Sequence, residues 1–447
     1  MLNRIFKLTE NGTDIRTEAM AGGTTFLTMA YIILVNPTIL ATDFAGNPTG
    51  MDPQAVMLAT CVAAAVATLI MGLYANYPIA QAPGMGNNHL FISVVMGLSA
   101  IGIANVWQTA LGIVFLSGVS FLLLSLFRVR EAVINALSPS MRGAVSVGIG
   151  FFIAFIGLRN GGIIVTSPAT GVALSKELLS AGPLIFMSGL LIIAVLHAWN
   201  MRGSILVGIA ITTSLALLAG QVAWPSTWLG LPAIETAAAF QLDIRAALTL
   251  VALPFVIMML FTDMFDTVGT LVGVSERAGF MRDGKLPRAN RALISDAVGT
   301  MTGAVLGTST VTSYIESAAG VEQGGRTGLT GVFVAVLFLL ALLFAPLVSI
   351  VAAFPPITAP ALVIVGVFMA QGVQKIEWQD ATEALPAFLV MLGIPLTYSI
   401  ADGLALGLIS YPVVKLLAGR AREVSWLMYV LALAMALYFV FVRGSLG

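Results

Sequence analysis

Apolar runs long enough to cross a bilayer recur from one end of this 447-residue chain to the other, and nothing else in it restricts the fold so much. A hydrocarbon layer of about 30 Å takes about 20 apolar residues as a helix. Inside that layer every backbone N–H and C=O must find a partner within the protein, so long continuous runs read as helices. The runs fall at Met20–Ala41, Ala55–Tyr74, Gly84–Leu98, Val106–Leu126, Gly143–Leu158, Leu184–His197 and Ser204–Ala219. After a polar gap they resume at Leu248–Val274, Ala292–Leu306, Thr308–Gly320, Gly328–Ile350, Pro356–Ala370, Leu385–Ile400 and Leu404–Leu417. The expected fold is an all-α polytopic membrane protein with 14 transmembrane segments. One more apolar run, Ser425–Val442, either crosses the bilayer or lies along it.

Charge placement orients the spans. With the N-terminus in the cytoplasm, only Arg159, Lys176 and Arg245 of the 21 lysines and arginines fall outside, with Arg443 undecided. That is the positive-inside bias. The polar start MLNRIFKLTENGTDIRTE has no cleavable signal pattern, so the first run is expected to stay as a span. Formal net charge is zero, which leaves no nucleic-acid footprint. One cysteine, Cys61, and two histidines, His89 and His197, give no basis for a disulfide framework or a metal centre, and no cofactor is expected.

Seven spans is an odd number, so a second set of seven enters the membrane upside down. This divides the chain into a cytoplasmic N-terminus (1–19), a first repeat (20–221), an extracytoplasmic connection (222–247), a second repeat (248–420) and a C-terminal apolar segment and tail (421–447). The third span of each half is short and is entered through a broken stretch: QAPGMGNNHLF in one, LGTSTVTSYIES in the other. Pro83 cannot donate a backbone hydrogen bond, and Gly84 and Gly86 tolerate unusual dihedrals. The second stretch is rich in β-prone Thr308, Thr310, Val311 and Thr312. Each predicts a short strand leading into a half-helix whose free N–H groups face a cavity, with the two strands able to pair across the pseudo-symmetry axis.

Asp263 and Asp266 lie in FTDMFDTVGTLVG, and Glu316 in GTSTVTSYIESAAG, within otherwise apolar surroundings. A charge at that depth costs roughly 2.5–3.5 kcal/mol on insertion scales, so such residues face cavities and handle protons, ions or substrate. The i, i+3 spacing of the aspartates puts them near one helix face. Asp296 reads as a packing or gating residue and Asp402 as a loop or cap. Phe26, Tyr31, Phe91 and Tyr314 offer flat faces to a flat ligand or fill the core.

MAGGTTFLTMAYIILVNP, QAPGMGNNHLF, FTDMFDTVGTLVGVSERAGF, STVTSYIESAAGVEQGGRTGLTGV and TAPALVIVGVFM, in this order, resemble the hypoxanthine–adenine–guanine permeases, the AzgA-like branch of the nucleobase–cation symporters. The resemblance runs from about Ile15 to Val442. It implies a core domain of spans 1–4 and 8–11, a gate domain of spans 5–7 and 12–14 that often forms a dimer contact, and a bacterial inner-membrane location. It implies a purine held between the domains by Asp263, Glu316, Asn88 and neighbours, which gives a candidate substrate set of Glu316, Asp263, Asn88, His89, Thr312, Ser313 and Phe26. Asp263, Asp266 and Glu316 are the candidate proton-coupling residues, with no metal. The family reads APGMGLNAYF where this chain has Asn87, Asn88, His89 and Leu90, so His89 stands where a small residue is expected and bears on base preference.

The expected activity is therefore proton-coupled uptake of adenine, guanine, hypoxanthine or xanthine by an elevator-like mechanism. A pyrimidine, an oxidised purine, a small anion or sodium coupling on the same fold is the alternative. An intramembrane aspartyl protease is disfavoured, because its aspartates would sit on different helices, and a symmetric channel because the carboxylates are confined to one repeat.

Overall fold

A computed structural model describes residues 2–44, 46–126, 137–167, 170–201, 203–224, 227, 229–232, 238–280, 286–397 and 399–439. Arg128, Arg130, Arg202, Arg282, Lys285 and Arg443, which contribute to the charge bias, lie outside the described residues, as does the end of Ser425–Val442. In the first half, helices α1 (Ile15–Met29), α2 (Ile32–Ala41) and α3 (Pro53–Ile70) lead to a strand β1 (Gln81–Pro83). Then come α4 (Met85–Ala100), α5 (Val106–Leu126), α6 (Pro139–Asn160), a hairpin of β2 (Ile164–Ser167) and β3 (Gly171–Leu174), α7 (Ala181–Ala198) and α8 (Ser204–Leu218). In the second half α9 (Leu253–Arg277) and α10 (Ala289–Leu306) lead to β4 (Val311–Ser313) and the six-residue α11 (Ser317–Glu322). The chain continues through α12 (Gly328–Ala341), α13 (Ala345–Ala353), α14 (Ala359–Ala370), α15 (Ala381–Thr397), α16 (Ile400–Leu417) and α17 (Trp426–Tyr438).

Five of the described helical segments are long and apolar enough to cross a membrane by length and composition alone: Ile15–Ala41, Pro53–Ala75, Val106–Leu126, Pro139–Asn160 and Ala181–Ala198. Large apolar side chains such as Leu191, Leu250, Leu396 and Leu417 stay exposed on the outside, as suits a lipid-facing surface. Two expected spans are each two helices. Between α1 and α2 the bonding tightens to Ile33 N–H on the Ala30 carbonyl and Leu34 N–H on the Tyr31 carbonyl. Between α12 and α13 it tightens likewise at Leu342–Phe344, because Pro346 opens α13 and has no N–H to return to Leu342.

The helices associate closely where glycine permits it. α6 lies along α14, with α15 also against it, while α10 lies against α5 and α3, and α12 against α1 and α3. At the start of α12, a Cβ on Gly328 would come within 1.8 Å of the Gly72 carbonyl oxygen, so these backbones touch only because both residues lack a side chain. Asn76, held at φ 53° just beyond, accepts the Gly328 N–H at 2.8 Å and fixes the junction.

At one end of α15 and α16 a charged clamp holds the helices. Lys415 is 1% exposed, with Nζ 3.0 Å from Glu383 and 2.9 Å from Glu423. Ser138, capping α6, donates to Glu383 at 2.6 Å, and Tyr411 does so at 2.9 Å. Arg420 adds bonds to Asp380 and Glu423, both at 2.7 Å. The Arg420 guanidinium, and after it Lys415, hold the Glu423 carboxyl down to about 2. A depressed carboxylate contributes stability above its ordinary value and loses it as pH falls towards the depressed one. The Glu423 contribution is therefore complete at neutral pH and fades only in strong acid. Lys415→Met leaves Glu383 buried without its cation, and should lower unfolding stability by roughly 3 kcal/mol. Thermal unfolding of the purified variant in detergent checks this, and an unchanged midpoint would make the clamp energetically idle.

Candidate functional site

The broken stretches meet. β1 and β4 pair antiparallel in the interior, with Gln81 opposite Ser313, Ala82 opposite Thr312 and Pro83 opposite Val311. Beyond the strands, Gly84 N–H bonds the Thr310 carbonyl and Tyr314 N–H the Ala80 carbonyl, each at 3.0 Å. These bonds fix which residues face the partner strand: positions 80, 82 and 84 bond across to 314, 312 and 310. Gln81 and Val311 therefore turn their backbone groups away from the partner, onto the outer edges of the sheet. An unpaired sheet edge is not tolerated at membrane depth.

Threonines from two different helices meet that requirement. On the β1 side Thr68 of α3 accepts the Gln81 N–H at 2.9 Å and donates to the Gln81 carbonyl at 3.0 Å. On the β4 side the hydroxyl of Thr300, from α10, lies 2.8 Å from the Val311 carbonyl. The same hydroxyl is 3.0 Å from Asp263 Oδ2. Neither threonine stood out in the sequence, since a threonine in an apolar helix often bonds its own backbone, as Thr60 does to Val56 at 2.6 Å.

The carboxylates differ in what surrounds them. Asp296 is fully buried and accepts three donors: Thr267 at 2.7 Å, the Gln81 amide at 2.8 Å and Ser313 at 3.0 Å. Thr267 is also 2.8 Å from Thr312, so the two candidate residues Thr312 and Ser313 are tied into one polar net with Asp296. Gln81 is a member of that net that the sequence did not single out. Asp263 is 1% exposed, and its Oδ1 has no partner among the described residues. Glu316 is half-buried and takes the Tyr31 hydroxyl at 2.7 Å. Asp266, one helical turn beyond Asp263, has an exposed side chain, whereas its place in an apolar stretch suggested burial.

The half-helices are unequal. α4 runs 16 residues, and its first turn carries Asn87, Asn88 and His89, all buried. Ser309 donates to Asn88 Oδ1. Both polar atoms of Asn87, Nδ2 of Asn88 and Nε2 of His89 have no partner among the described residues. α11 departs from expectation. Its first N–H groups turn back on the Tyr314, Ile315 and Glu316 carbonyls, because six residues are too few to leave a free amide end. His89 lies on the first turn of α4 with Nδ1 2.8 Å from the Met85 carbonyl, which requires the proton on Nδ1. Its ring stacks on Phe44 at 6.4 Å and meets the edge of Phe152 at 6.3 Å. Phe26 is half-buried and packs edge-on against Phe338 at 5.3 Å, Phe91 is fully buried, and the Tyr314 hydroxyl donates to the Pro83 carbonyl. Asp402 sits in the first turn of α16, where Ser399 rather than Asp402 supplies the cap. Among the described residues no group of His, Cys, Asp and Glu could hold a metal ion.

The model of the Permease family matches residues 16–406. A Methanocaldococcus jannaschii protein whose name specifies a permease and no substrate is 48% identical over 99% of each chain. The adenine permease AdeQ of Escherichia coli is 42% identical over 99% of this chain and 96% of its own. The guanine/hypoxanthine permease PbuO of Bacillus subtilis is 43% identical over 96% and 98%. Among solved structures, the transmembrane domain of the cyanobacterium bicarbonate transporter BicA superposes with a TM-score of 0.65, covering 88% of this chain and 97% of that one at 17% identity. At that identity the likeness speaks for the fold alone.

The edge bonds can be tested by themselves. Thr68→Val removes the partner of two buried backbone groups of Gln81, at about 1–3 kcal/mol for each orphaned group. A loss of at least about 2 kcal/mol is expected in unfolding measurements, with Thr68→Ser close to wild type. Equal stability of all three proteins would show that β1 needs no edge partner.

Proposed function

The chain belongs to the Permease family, and we propose on that premise that it takes up purine nucleobases across the membrane in symport with protons. It is a transport protein and not an enzyme. Relatives 41–43% identical over nearly the whole chain are named adenine permeases or guanine/hypoxanthine permeases, which supports a purine. One observation carries the site: the carboxyls of Asp263 and Asp296 and the half-partnered Asn88 amide lie beside the paired strands. A purine edge presents ring N–H donors beside N or O acceptors. Glu316, half-buried and steadied by Tyr31, suits the donors, and the Asn88 amide, anchored through its oxygen by Ser309, has Nδ2 to offer an acceptor. Asp263 and the exposed Asp266 would carry the proton, while Thr312, Ser313, Phe26 and His89 shape the surroundings.

We read the architecture as 14 spans in a seven-plus-seven inverted repeat. The strand register supports it. A two-fold axis through the Ala82–Thr312 pair exchanges Gln81 with Val311, and each of these is bonded at its outer edge by a threonine from the span preceding its own strand. Spans 1–4 and 8–11 would form a core domain that moves against a gate of spans 5–7 and 12–14, in an elevator-like cycle. The protein would sit in the inner membrane with its N-terminus in the cytoplasm, with the gate available for a homodimer contact. An anion substrate is not favoured, because buried Lys415 is already engaged by Glu383 and Glu423.

Reconstituted protein should accumulate radiolabelled adenine or hypoxanthine when the outside is acidic, and a protonophore should abolish the accumulation. Uptake that survives the protonophore and follows a sodium gradient would reject proton coupling. Glu316→Gln keeps the size of the side chain and removes its charge. Purine affinity should fall by at least about tenfold, or about 1.4 kcal/mol. Wild-type binding in a folded Gln variant would take Glu316 out of the site.

A further inference from the structure

We propose that Thr300 is a positioning residue that reads the protonation of Asp263 and passes it to the backbone of β4, an inference that rests on the proton-coupled reading above. A threonine hydroxyl has one proton and can accept as well as donate. Thr300 Oγ1 lies 3.0 Å from Asp263 Oδ2 and 2.8 Å from the Val311 carbonyl, so two acceptors compete for one hydrogen. The conflict disappears when Asp263 carries a proton. Asp263 Oδ2–H then donates to Thr300, and Thr300 donates to Val311.

The first repeat shows the same joint with a permanent donor. There Thr68 accepts from the Gln81 N–H while donating to the Gln81 carbonyl. In the second repeat the accepting side of the threonine faces a carboxyl instead. The proton of Asp263 occupies the place that a backbone N–H occupies on the other side of the sheet, and unlike that N–H it can leave. When it does, the Thr300 hydroxyl rotates to the carboxylate and the Val311 carbonyl loses its donor. Val311 directly precedes Thr312 and Ser313, whose side chains belong to the net around Asp296. Loading and unloading the proton thus tightens and loosens the strand against which the purine lies.

Other titratable groups surround this joint. Asp266 lies on α9 with Asp263, Asp296 lies on α10 and Glu316 follows β4. Tyr314 follows β4, His89 is on α4 and Glu322 ends α11, while α5 carries no titratable side chain. Asp296 has three donors of its own, and Glu316 has Tyr31. Asp263 has Thr300 for one oxygen and no partner among the described residues for the other.

The experiment compares wild type, Thr300→Ser and Thr300→Val as purified full-length protein. Adenine and hypoxanthine affinity is measured from mildly acid to mildly alkaline pH. Infrared difference spectra record the C=O stretch of protonated carboxyl groups. Wild type and Thr300→Ser should share one pH profile and one carboxyl band, which Asp263→Asn removes. Thr300→Val should still bind purine within about tenfold of wild type at its best pH. Its affinity should lose most of its pH dependence, and its carboxyl band should shift. A Thr300→Val profile that overlays a pH-dependent wild type would overturn the switch and leave proton coupling standing. So would a Thr300→Ser protein that behaves like Thr300→Val. Wild-type affinity and uptake indifferent to pH would remove the coupled reading and the switch together. The infrared comparison of wild type with Asp263→Asn needs no Thr300 variant to fold: absence of an Asp263 carboxyl band while purine is bound overturns the proposal.

Discussion

The structure depends on a sheet of two three-residue strands in the interior of a membrane protein. Such a sheet has two edges and no third strand to cover them, and lipid supplies no hydrogen bonds. The protein meets this with side-chain hydroxyls: Thr68 on Gln81 and Thr300 on Val311, delivered by helices that pack beside the strands, and Tyr314 on the Pro83 carbonyl. Much else follows from keeping those helices in place. α3 and α10 must lie close to the strands. Gly299 and Gly303 on α10 allow this, since a Cβ on Gly303 would come within 2.7 Å of the Val311 side chain. The glycine contact between Gly72 and Gly328 and the Asn76 bond do the same just beyond the end of α3.

Polar groups in this interior are apportioned unequally. Asp296 is surrounded by donors and acts as a knot joining α9, α10 and both strands. Its sequence context suggested packing or gating, and Gln81 is the unforeseen partner. Asp263, Asn87, Asn88 and His89 keep polar atoms without protein partners. Buried polar atoms left in that state cost about 1–3 kcal/mol each, which is the ground on which Asn88 is proposed above as a ligand contact and Asp263 as a carrier of the proton.

The sequence carried the fold class and the two breaks, because both rest on local physics. Apolar length specifies spans, and Pro83 with Gly84, or Thr310 to Thr312, cannot continue a helix comfortably. Where one helix becomes two was less legible. Pro346 marks the break before α13, but the turn at Ala30–Tyr31 has no proline or glycine within it and is visible only as altered backbone bonding. Asp263 and Glu316 could be picked out because a carboxylate among apolar residues is rare. Thr68, Thr267 and Thr300 could not, because a threonine is unremarkable in a span until its partner 11 or 13 residues away in sequence, or on another helix, is known. The exposure of Asp266 was likewise hidden. Spacing assigns a residue to a helix face, and only the packing of neighbours decides whether that face is covered by protein.

The two edges of the sheet differ in what each threonine faces. Both need a threonine that donates to an outward carbonyl and accepts from something. The β1 edge uses the N–H of Gln81, which is covalently fixed, so its accepting side has a permanent donor. The β4 edge has α9 alongside and offers an acid. On the switch proposed above, that acid does the work of the N–H only while protonated, which gives this edge two states. A carrier needs one part that stays rigid as a frame and one that changes when its driving ion arrives. In the inverted repeat proposed above, the two halves carry one joint each, and a carboxyl beside one threonine is enough to make them differ in this way.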